Sequence, residues 1–236
     1  MKTLPAPGRG RLAISASTRW TIAALIVVIA LIAAIWPRES ADPGTAPAPA
    51  TTGSAAAFPG EQATVPADEL AAARQQAALQ PCPAGTAAPG PDSELAGVRV
   101  PCLAGGGDVD LGTATAGAMW VINFWAYWCA PCRKELPIFA DFERRAGDRV
   151  KILTVQGSEG AQNPFLSLNL LIEIGVDLPT VIDPDAAMAA ALGVPRVYPS
   201  TVLLRADGSV AAVLPQVFTS TDELIQAVDT HLGLTL

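Results

Sequence analysis

Residues 120–137 read WVINFWAYWCAPCRKELP, and this stretch contains the pattern that decides the fold. Its first part is a nearly continuous apolar run, which predicts a strand over 119–124 in the middle of a sheet. Cys129 and Cys132 follow, and apolar residues then recur at helical spacing up to Gly147, so a helix is predicted over 131–146. A buried strand that leads through two cysteines into a helix indicates an α/β fold.

The two cysteines point to thiol chemistry. Cysteines separated by two residues can be bridged across the first turn of a helix, where unpaired backbone N–H groups and the helix dipole favour a thiolate over a thiol. That is the arrangement that a thiol–disulfide exchanger needs. The spacing also fits half of a zinc site or a purely structural disulfide, so the flanking residues have to separate these alternatives.

Strands and helices alternate after the composition changes at residue 95. The predicted elements are short and are bounded by turn residues. They are strands at 98–103, 109–111, 150–155 and 180–182, a hairpin at 201–205 and 209–214, and helices at 131–146, 165–174, 185–192 and 221–232. Together they predict a mixed sheet flanked by helices.

The N-terminal part divides by charge and composition. Residues 20–36 are uncharged and long enough to span most of a bilayer core, which predicts a transmembrane helix. Basic residues lie before it, so 1–19 is predicted to be cytoplasmic and the remainder extracytoplasmic. A cleaved signal peptide and a buried core helix are the alternatives. Residues 37–66, rich in Ala and Pro, predict an unfolded tether, and 67–94 predict a loosely packed short helix and a loop.

The part of the chain beyond the apolar segment is acidic. The net charge is -7, and without the four basic residues ahead of 20–36 the remainder carries about -11, which argues against nucleic acid and anionic lipid headgroups as partners. Outside the cytoplasm Cys82 and Cys102 are predicted to form a structural disulfide. The alternatives are free thiols, a redox relay to the other cysteine pair, and a four-cysteine zinc site.

Residues 121–137 resemble the active-site segment of membrane-anchored thioredoxin-like thiol–disulfide oxidoreductases of the TlpA/ResA group, with the pattern N-F-W-A-x-W-C-x-P-C-R-x-E-x-P. The resemblance continues through the order of elements and covers 95–236. It implies a thioredoxin fold, in which a mixed central sheet is flanked by helices, with an N-terminal β-hairpin extension and a central helical insertion.

The resemblance also assigns roles around the cysteine pair. Cys129 is expected to be the attacking thiolate, with its sulfur facing solvent, and Cys132 to be the resolving thiol that breaks the mixed disulfide. Trp128, Ala130 and Pro131 are expected to contact the substrate.

Pro199 matches the proline that follows a cis peptide bond in the thioredoxin fold and lies against the active-site disulfide. Tyr198 is then expected to present backbone groups to an extended substrate segment, or alternatively to cap the sheet edge. Pro195 is the competing candidate for the cis bond.

Asn123 stands where cytosolic thioredoxins carry an acid, although it agrees with the TlpA/ResA pattern. Because an amide cannot take a proton, Glu135, three residues after Cys132, is the candidate base. The alternative for Glu135 is a solvated helix carboxylate. Trp125 either shields the disulfide and offers an apolar docking surface, or packs in the core.

The resemblance implies a membrane-tethered, extracytoplasmic thiol–disulfide oxidoreductase that needs no cofactor or metal. No histidine lies between the cysteines, which favours reduction of disulfide-containing exported proteins, with a membrane thiol reductase as electron donor. Cytochrome c maturation, with apocytochrome c as the substrate, is one pathway that fits. A disulfide-forming oxidase and a non-catalytic binding module of thioredoxin fold are the alternatives.

Two activities of related folds are disfavoured. A copper chaperone needs a distant histidine to pair with the cysteines, and the only histidine is His231, near the C-terminus. A peroxiredoxin needs threonine three residues before the attacking cysteine, where this chain has Ala126.

Overall fold

The computed structural model describes residues 25–27, 29 and 65–236. The chain divides into two compact units, Met1–Gly53 and Ser54–Leu236. In the first unit the four described residues are helical and exposed. No helix in the described part of the chain is both long and apolar enough to cross a membrane. The predicted cytoplasmic segment 1–19 and most of the predicted span 20–36 and tether 37–66 lie outside the described residues.

The second unit begins with a helix and a hairpin. Helix α1 is Ala67–Ala77, strands β1 and β2 are Arg99–Pro101 and Asp108–Asp110, and the short helix α2 is Leu111–Ala114. β1 and β2 pair antiparallel. The turn between them contains three consecutive glycines with φ of 99, 92 and 101°, a region of backbone conformation that favours glycine. This is the N-terminal hairpin that the sequence predicted; helix α2 was not predicted.

A five-stranded mixed sheet forms the centre of the unit. Its strands are β3 (Trp120–Trp125), β4 (Lys151–Gln156), β5 (Thr180–Ile182), β6 (Ser200–Leu204) and β7 (Val210–Leu214), in the order β5-β4-β3-β6-β7. β3, β4 and β5 run parallel, whereas β6 and β7 are antiparallel to their neighbours. β3 is the middle strand, and all six of its residues are buried, as its apolar run predicted.

Helices cover the sheet. They are α3 (Ala130–Ala146), α4 (Pro164–Ile174), α5 (Ala187–Ala191) and α6 (Thr221–Leu232), with a 3₁₀ turn at Gly147–Arg149. The insertion between α4 and β6 contains the edge strand β5 as well as the short helix α5. This arrangement is the predicted thioredoxin fold.

The alternation of side chains along β3 decides which of its residues face helix α3. Val121 and Trp125 belong to the core cluster that contains the buried face of α3, whereas Ile122 and Phe124 belong to the cluster on the other side, with the N-terminal hairpin. Successive side chains of a strand point to opposite faces. Asn123 therefore shares the face of Val121 and Trp125 and points toward α3.

Helix α1 packs more firmly than predicted. Its Ala73 and Ala77 are buried, and the helix lies against α4. Arg74 Nε donates a hydrogen bond to Leu103 O at 3.2 Å, and Gln80 Nε2 donates to Glu143 Oε2 at 2.9 Å. The expectation of loose packing was wrong because small alanine side chains let α1 approach closely, and hydrogen bonds from Arg74 and from Gln80, three residues beyond its end, then hold it to the rest of the unit.

Candidate active site

Cys129 and Cys132 form a disulfide at the start of α3, with their Cα atoms 5.3 Å apart. Cys129 is the N-cap residue, and its Sγ accepts a hydrogen bond from Cys132 N at 3.2 Å. A sulfur that accepts from a backbone N–H at a helix N-terminus is in a site that stabilises negative charge. The geometry therefore favours a thiolate on Cys129 once the disulfide is reduced.

The disulfide is more enclosed than the sequence predicted. Cys132 is fully buried, and Cys129 is only 4% exposed, so the expectation that the sulfur of Cys129 faces solvent is wrong for the oxidised protein. The reason is that the bond to Cys132 draws this sulfur back over the first turn of α3. Ala130 and Pro131, between the two cysteines, are exposed and form the accessible surface of the motif.

Glu135 is fully buried, three residues beyond Cys132 on the same helix. Its Oε2 accepts a hydrogen bond from Asn123 Nδ2 at 3.0 Å, and its Oε1 accepts from Phe218 N at 2.7 Å. Asn123 Nδ2 also donates to Thr201 Oγ1 at 3.3 Å. Glu135 is thus not a solvated helix carboxylate. It joins β3, α3 and the loop before α6 behind the disulfide.

Burial raises the pKa of Glu135 to about 7, although the hydrogen bonds from Phe218 and Asn123 act in the opposite direction. Removing a carboxylate from water disfavours its charged form, and here this effect is larger than that of the two donors. A carboxyl group with this pKa gains and loses a proton near neutral pH, which is what a general acid or base needs. The sequence placed an acid near Cys132, but its pKa depends on the tertiary structure.

The peptide bond between Tyr198 and Pro199 is cis, and the described residues contain no cis bond before Pro195. Pro199 is buried and directly precedes β6, which pairs with β3. The Tyr198 ring lies edge-on to the ring of Trp128, with the ring centroids 6.0 Å apart. The proline loop and the residue before Cys129 therefore meet beside the disulfide.

Glu159 ties this aromatic pair together and was not identified from the sequence. Its Oε2 accepts a hydrogen bond from the Tyr198 hydroxyl at 2.5 Å, and its backbone oxygen accepts from Trp128 Nε1 at 3.2 Å. Burial acts to raise the pKa of Glu159, but donors led by the Tyr198 hydroxyl outweigh it, and the pKa is lowered. Burial and the same hydrogen bond raise the pKa of Tyr198. Glu159 is therefore ionised and holds Tyr198 in place.

Two glycines allow the loop that carries Glu159 to approach the site. A Cβ on Gly157 would overlap the Tyr198 hydroxyl and ring, and a Cβ on Gly160, which has φ of +99°, would overlap the ring of Tyr127. The side chain of Gln156, buried at the end of β4, accepts a hydrogen bond from Tyr127 N at 3.2 Å. The available sequence signal was a Gly-Ser-Glu-Gly run directly after a buried strand.

The two tryptophans that flank the motif have different environments. Trp125 is fully buried, so its alternative role in the core is the correct one and it offers no docking surface. Trp128 is 40% exposed. Of the two, only Trp128 is available to a partner protein.

Cys82 and Cys102 form the second disulfide, with their Cα atoms 6.0 Å apart, and none of the four cysteines is free. Cys102 forms an isolated antiparallel bridge with Val181, and Cys82 Sγ lies 3.2 Å from Thr180 O. This disulfide therefore fastens the N-terminal extension to the edge strand β5. The pairing excludes the free-thiol and zinc alternatives for the oxidised protein.

Comparison with known proteins agrees with this geometry. The family model described as Redoxin matches residues 83–227. Thiol-disulfide oxidoreductase ResA of Bacillus subtilis (strain 168) is 32% identical over 94 residues, which are 39% of this chain and 50% of that protein. Sporulation thiol-disulfide oxidoreductase A of the same organism is 28% identical over 102 residues, 43% of this chain and 61% of that protein. The chain thus spans about half to three-fifths of these curated relatives.

Among solved structures, that of MTB dsbF in its mixed oxidized and reduced forms has a TM-score of 0.50 and 24% sequence identity, and the match covers 58% of this chain and 96% of that one. This likeness supports the thioredoxin-like fold. The Redoxin model covers more than half of the chain, and the cysteine motif occupies the position that the fold requires. The chain therefore belongs to the Redoxin family, as a thioredoxin-like protein of ResA/TlpA type.

Proposed function

We propose that this protein is a thiol–disulfide oxidoreductase that reduces disulfides of protein substrates through Cys129 and Cys132. The observation that carries the proposal is the placement of the disulfide. It caps the N-terminus of α3, and a buried carboxyl group with a pKa of about 7 lies one turn further along the same helix. A structural disulfide needs neither of these features.

The exchange has two steps. In the reduced protein the Cys129 thiolate attacks one sulfur of the substrate disulfide, so a mixed disulfide forms and the other substrate sulfur leaves as a thiolate that takes up a proton. Cys132 then loses its proton and attacks Cys129, which releases the second substrate thiol and closes the Cys129–Cys132 bond. Two electrons pass from the protein dithiol to the substrate disulfide.

We assign to Glu135 the role of accepting the proton that Cys132 loses in the second step. Both side chains are fully buried, and water is therefore a poor acceptor at this position. The hydrogen bonds from Asn123 and Phe218 orient the carboxylate. Because the pKa of Glu135 is about 7, its carboxylate can accept this proton at neutral pH.

The direction of electron flow follows from what separates the cysteines. Ala130 and Pro131 provide no side-chain donor or positive charge that would stabilise the thiolate further and make the disulfide strongly oxidising. We therefore assign a reducing role, with a membrane thiol reductase restoring the dithiol after each turnover. Disulfide-containing exported proteins are the proposed substrates, and apocytochrome c is the specific candidate.

The proposed location is the outer face of a cell membrane. It rests on the sequence of the N-terminal part, in which uncharged residues 20–36 follow a basic segment. Protease treatment of intact spheroplasts is expected to remove the domain that contains Cys129 and to leave a small membrane-bound fragment. Recovery of this domain in the soluble fraction of untreated cells would overturn the anchor.

The activity is tested with the full chain, one active-site variant and one control variant. After reduction with dithiothreitol and removal of excess reagent, the protein is expected to reduce insulin, and Cys132→Ala is expected to stop at the mixed disulfide and to accumulate a covalent adduct. Cys82→Ala in combination with Cys102→Ala is the matched control, and it should still turn over. Absence of both reduction and adduct would favour the non-catalytic binding module.

A further inference from the structure

Exposed large apolar side chains surround the disulfide. Within residues 65–236 the structure exposes three of them, Trp128 at 40%, Val197 at 45% and Val217 at 40%. Each lies in a different loop next to the site, because Trp128 precedes Cys129, Val197 precedes Tyr198, and Val217 precedes the residue that binds Glu135. These apolar side chains are available to a partner protein that approaches the disulfide.

One side of this surface contains a groove of about 370 Å³. Its apolar lining comes from Ala130, Pro131, Ile138, Val217 and Phe218. The first two of these residues lie between the two cysteines. A peptide joined to Cys129 in a mixed disulfide therefore begins at the edge of the groove.

Lys134 supplies a positive charge to the groove. Its side chain is exposed, and it makes no ion pair or hydrogen bond with any residue in the described part of the chain. The neighbouring Arg133, by contrast, is paired with Glu173. The carboxylate of Glu223, which lies close to the groove residue Thr219, already accepts hydrogen bonds from Thr219 N at 2.8 Å and Thr219 Oγ1 at 3.0 Å. Among the described residues, Glu223 does not line the groove and Lys134 is the one charged residue that does, so the lining itself carries a positive charge.

We propose that this groove is a substrate subsite, which binds an apolar side chain next to the reacting cysteine of a protein segment and a carboxylate beside that side chain. The apolar side chain packs against Val217 and Ile138, and the carboxylate pairs with Lys134. The inference rests on the proposed function, and it names the substrate class as disulfide-bearing segments that are both apolar and acidic.

Four peptides test the subsite with the full-length, dithiothreitol-reduced protein. Each peptide carries one cysteine as a mixed disulfide with thionitrobenzoate. The two residues that flank the cysteine are both Leu or both Ser, and the next residue outward on each side is Glu or Lys. Attack by Cys129 on the peptide sulfur releases thionitrobenzoate, whose absorbance gives the second-order rate constant. Leu peptides are expected to react about tenfold faster than Ser peptides. Glu peptides should react about two- to fivefold faster than Lys peptides.

Two variants assign these preferences to the groove. Lys134→Glu is expected to invert the preference between Glu and Lys peptides, and Val217→Ser to reduce the preference for Leu. Lys151→Glu is the matched control, because Lys151 lies at the start of β4, whereas Cys129 follows the opposite end of the parallel neighbour β3. It should leave both preferences unchanged.

The outcomes separate the subsite from the activity. Equal rates for all four peptides, or a charge preference that Lys134→Glu does not alter, would overturn the subsite and leave the oxidoreductase intact. Absence of reaction with every peptide would overturn the proposed function itself, and the subsite with it.

Discussion

Replacing Glu135 with Gln removes a negative charge that burial disfavours and keeps nearly the same shape. The new side chain can still accept the hydrogen bond from Phe218 N through its oxygen. Its N–H needs an acceptor, and Asn123 can provide one, because Asn123 Oδ1 is buried without a hydrogen-bond partner. If the Asn123 amide turns over, its oxygen faces both the new N–H and Thr201 Oγ1. The substitution therefore keeps both contacts of position 135, but the Asn123 N–H groups move to the place where Oδ1 has no partner, which costs about 1–3 kcal/mol at every pH.

The expected gain in stability follows from the pKa. The pKa of Glu135 rises from 4.5 to about 7 in the folded protein. The folded state consequently binds more protons than the unfolded state between these two values, and wild-type stability falls as the pH rises through this window. At 1.36 kcal/mol for each pKa unit, the loss is roughly 3 kcal/mol, and it is complete above about pH 7. The variant has no such loss.

Urea unfolding of the oxidised full chain at pH 5, 6, 7 and 8 measures this difference. The free energy of unfolding of Glu135→Gln minus that of the wild type should increase by roughly 2–3 kcal/mol between pH 5 and pH 8 and level off above about pH 7. Glu69→Gln, at an exposed position on α1, is the matched control and should differ from the wild type by less than about 0.5 kcal/mol. A difference for Glu135→Gln that is independent of pH, or a loss of stability at pH 8, would refute the reasoning. The same variant should release the mixed disulfide more slowly, because Cys132 then has no nearby proton acceptor.

Three further variants test the second disulfide and the surroundings of the site. Replacing both Cys82 and Cys102 with Ala should lower the free energy of unfolding by about 3 kcal/mol in urea titrations, because the unfolded chain gains entropy, and insulin reduction by the folded protein should persist; lost turnover would indicate a redox relay. Tyr198→Phe removes a hydrogen bond that lowers the pKa of Glu159, so this pKa should rise in a titration followed by carboxyl ¹³C shifts, and an unchanged titration contradicts the contact. Gly157→Ala should destabilise the protein by about 1–3 kcal/mol and change tryptophan fluorescence, since its Cβ displaces the Tyr198 ring; wild-type stability and fluorescence would contradict this.

Patterns of residues close together in the sequence were sufficient to predict much of the fold. The apolar run of β3 and the helical spacing of Leu136, Phe139 and Phe142 predicted both elements, because each pattern repeats with the period of its own secondary structure. The position of the cysteine pair at the start of that helix also followed from local spacing. The resemblance of 121–137 to the TlpA/ResA segment then supplied the topology, which periodicity cannot provide.

Contacts between distant residues determine the properties that were wrong or missing in the prediction. Phe218, which donates to Glu135, lies 83 positions away, and Tyr198, which donates to Glu159, lies 39 positions away. No local pattern indicates which backbone N–H will reach a given carboxylate.

The cysteine motif has some properties that local sequence determines and others that tertiary contacts determine. Its position at the start of a helix is a local property, since the backbone N–H groups of a first turn are unpaired in any helix. The burial of Cys132 and Glu135 and the pKa of about 7 depend on β3, β6 and the loop before α6 closing over them. Desolvation depends on the atoms that surround a group in space, whatever their position in the sequence. The sequence by itself therefore predicted thiol–disulfide chemistry at Cys129 and Cys132, whereas only the packed fold raised the pKa of Glu135 to a value near neutral pH.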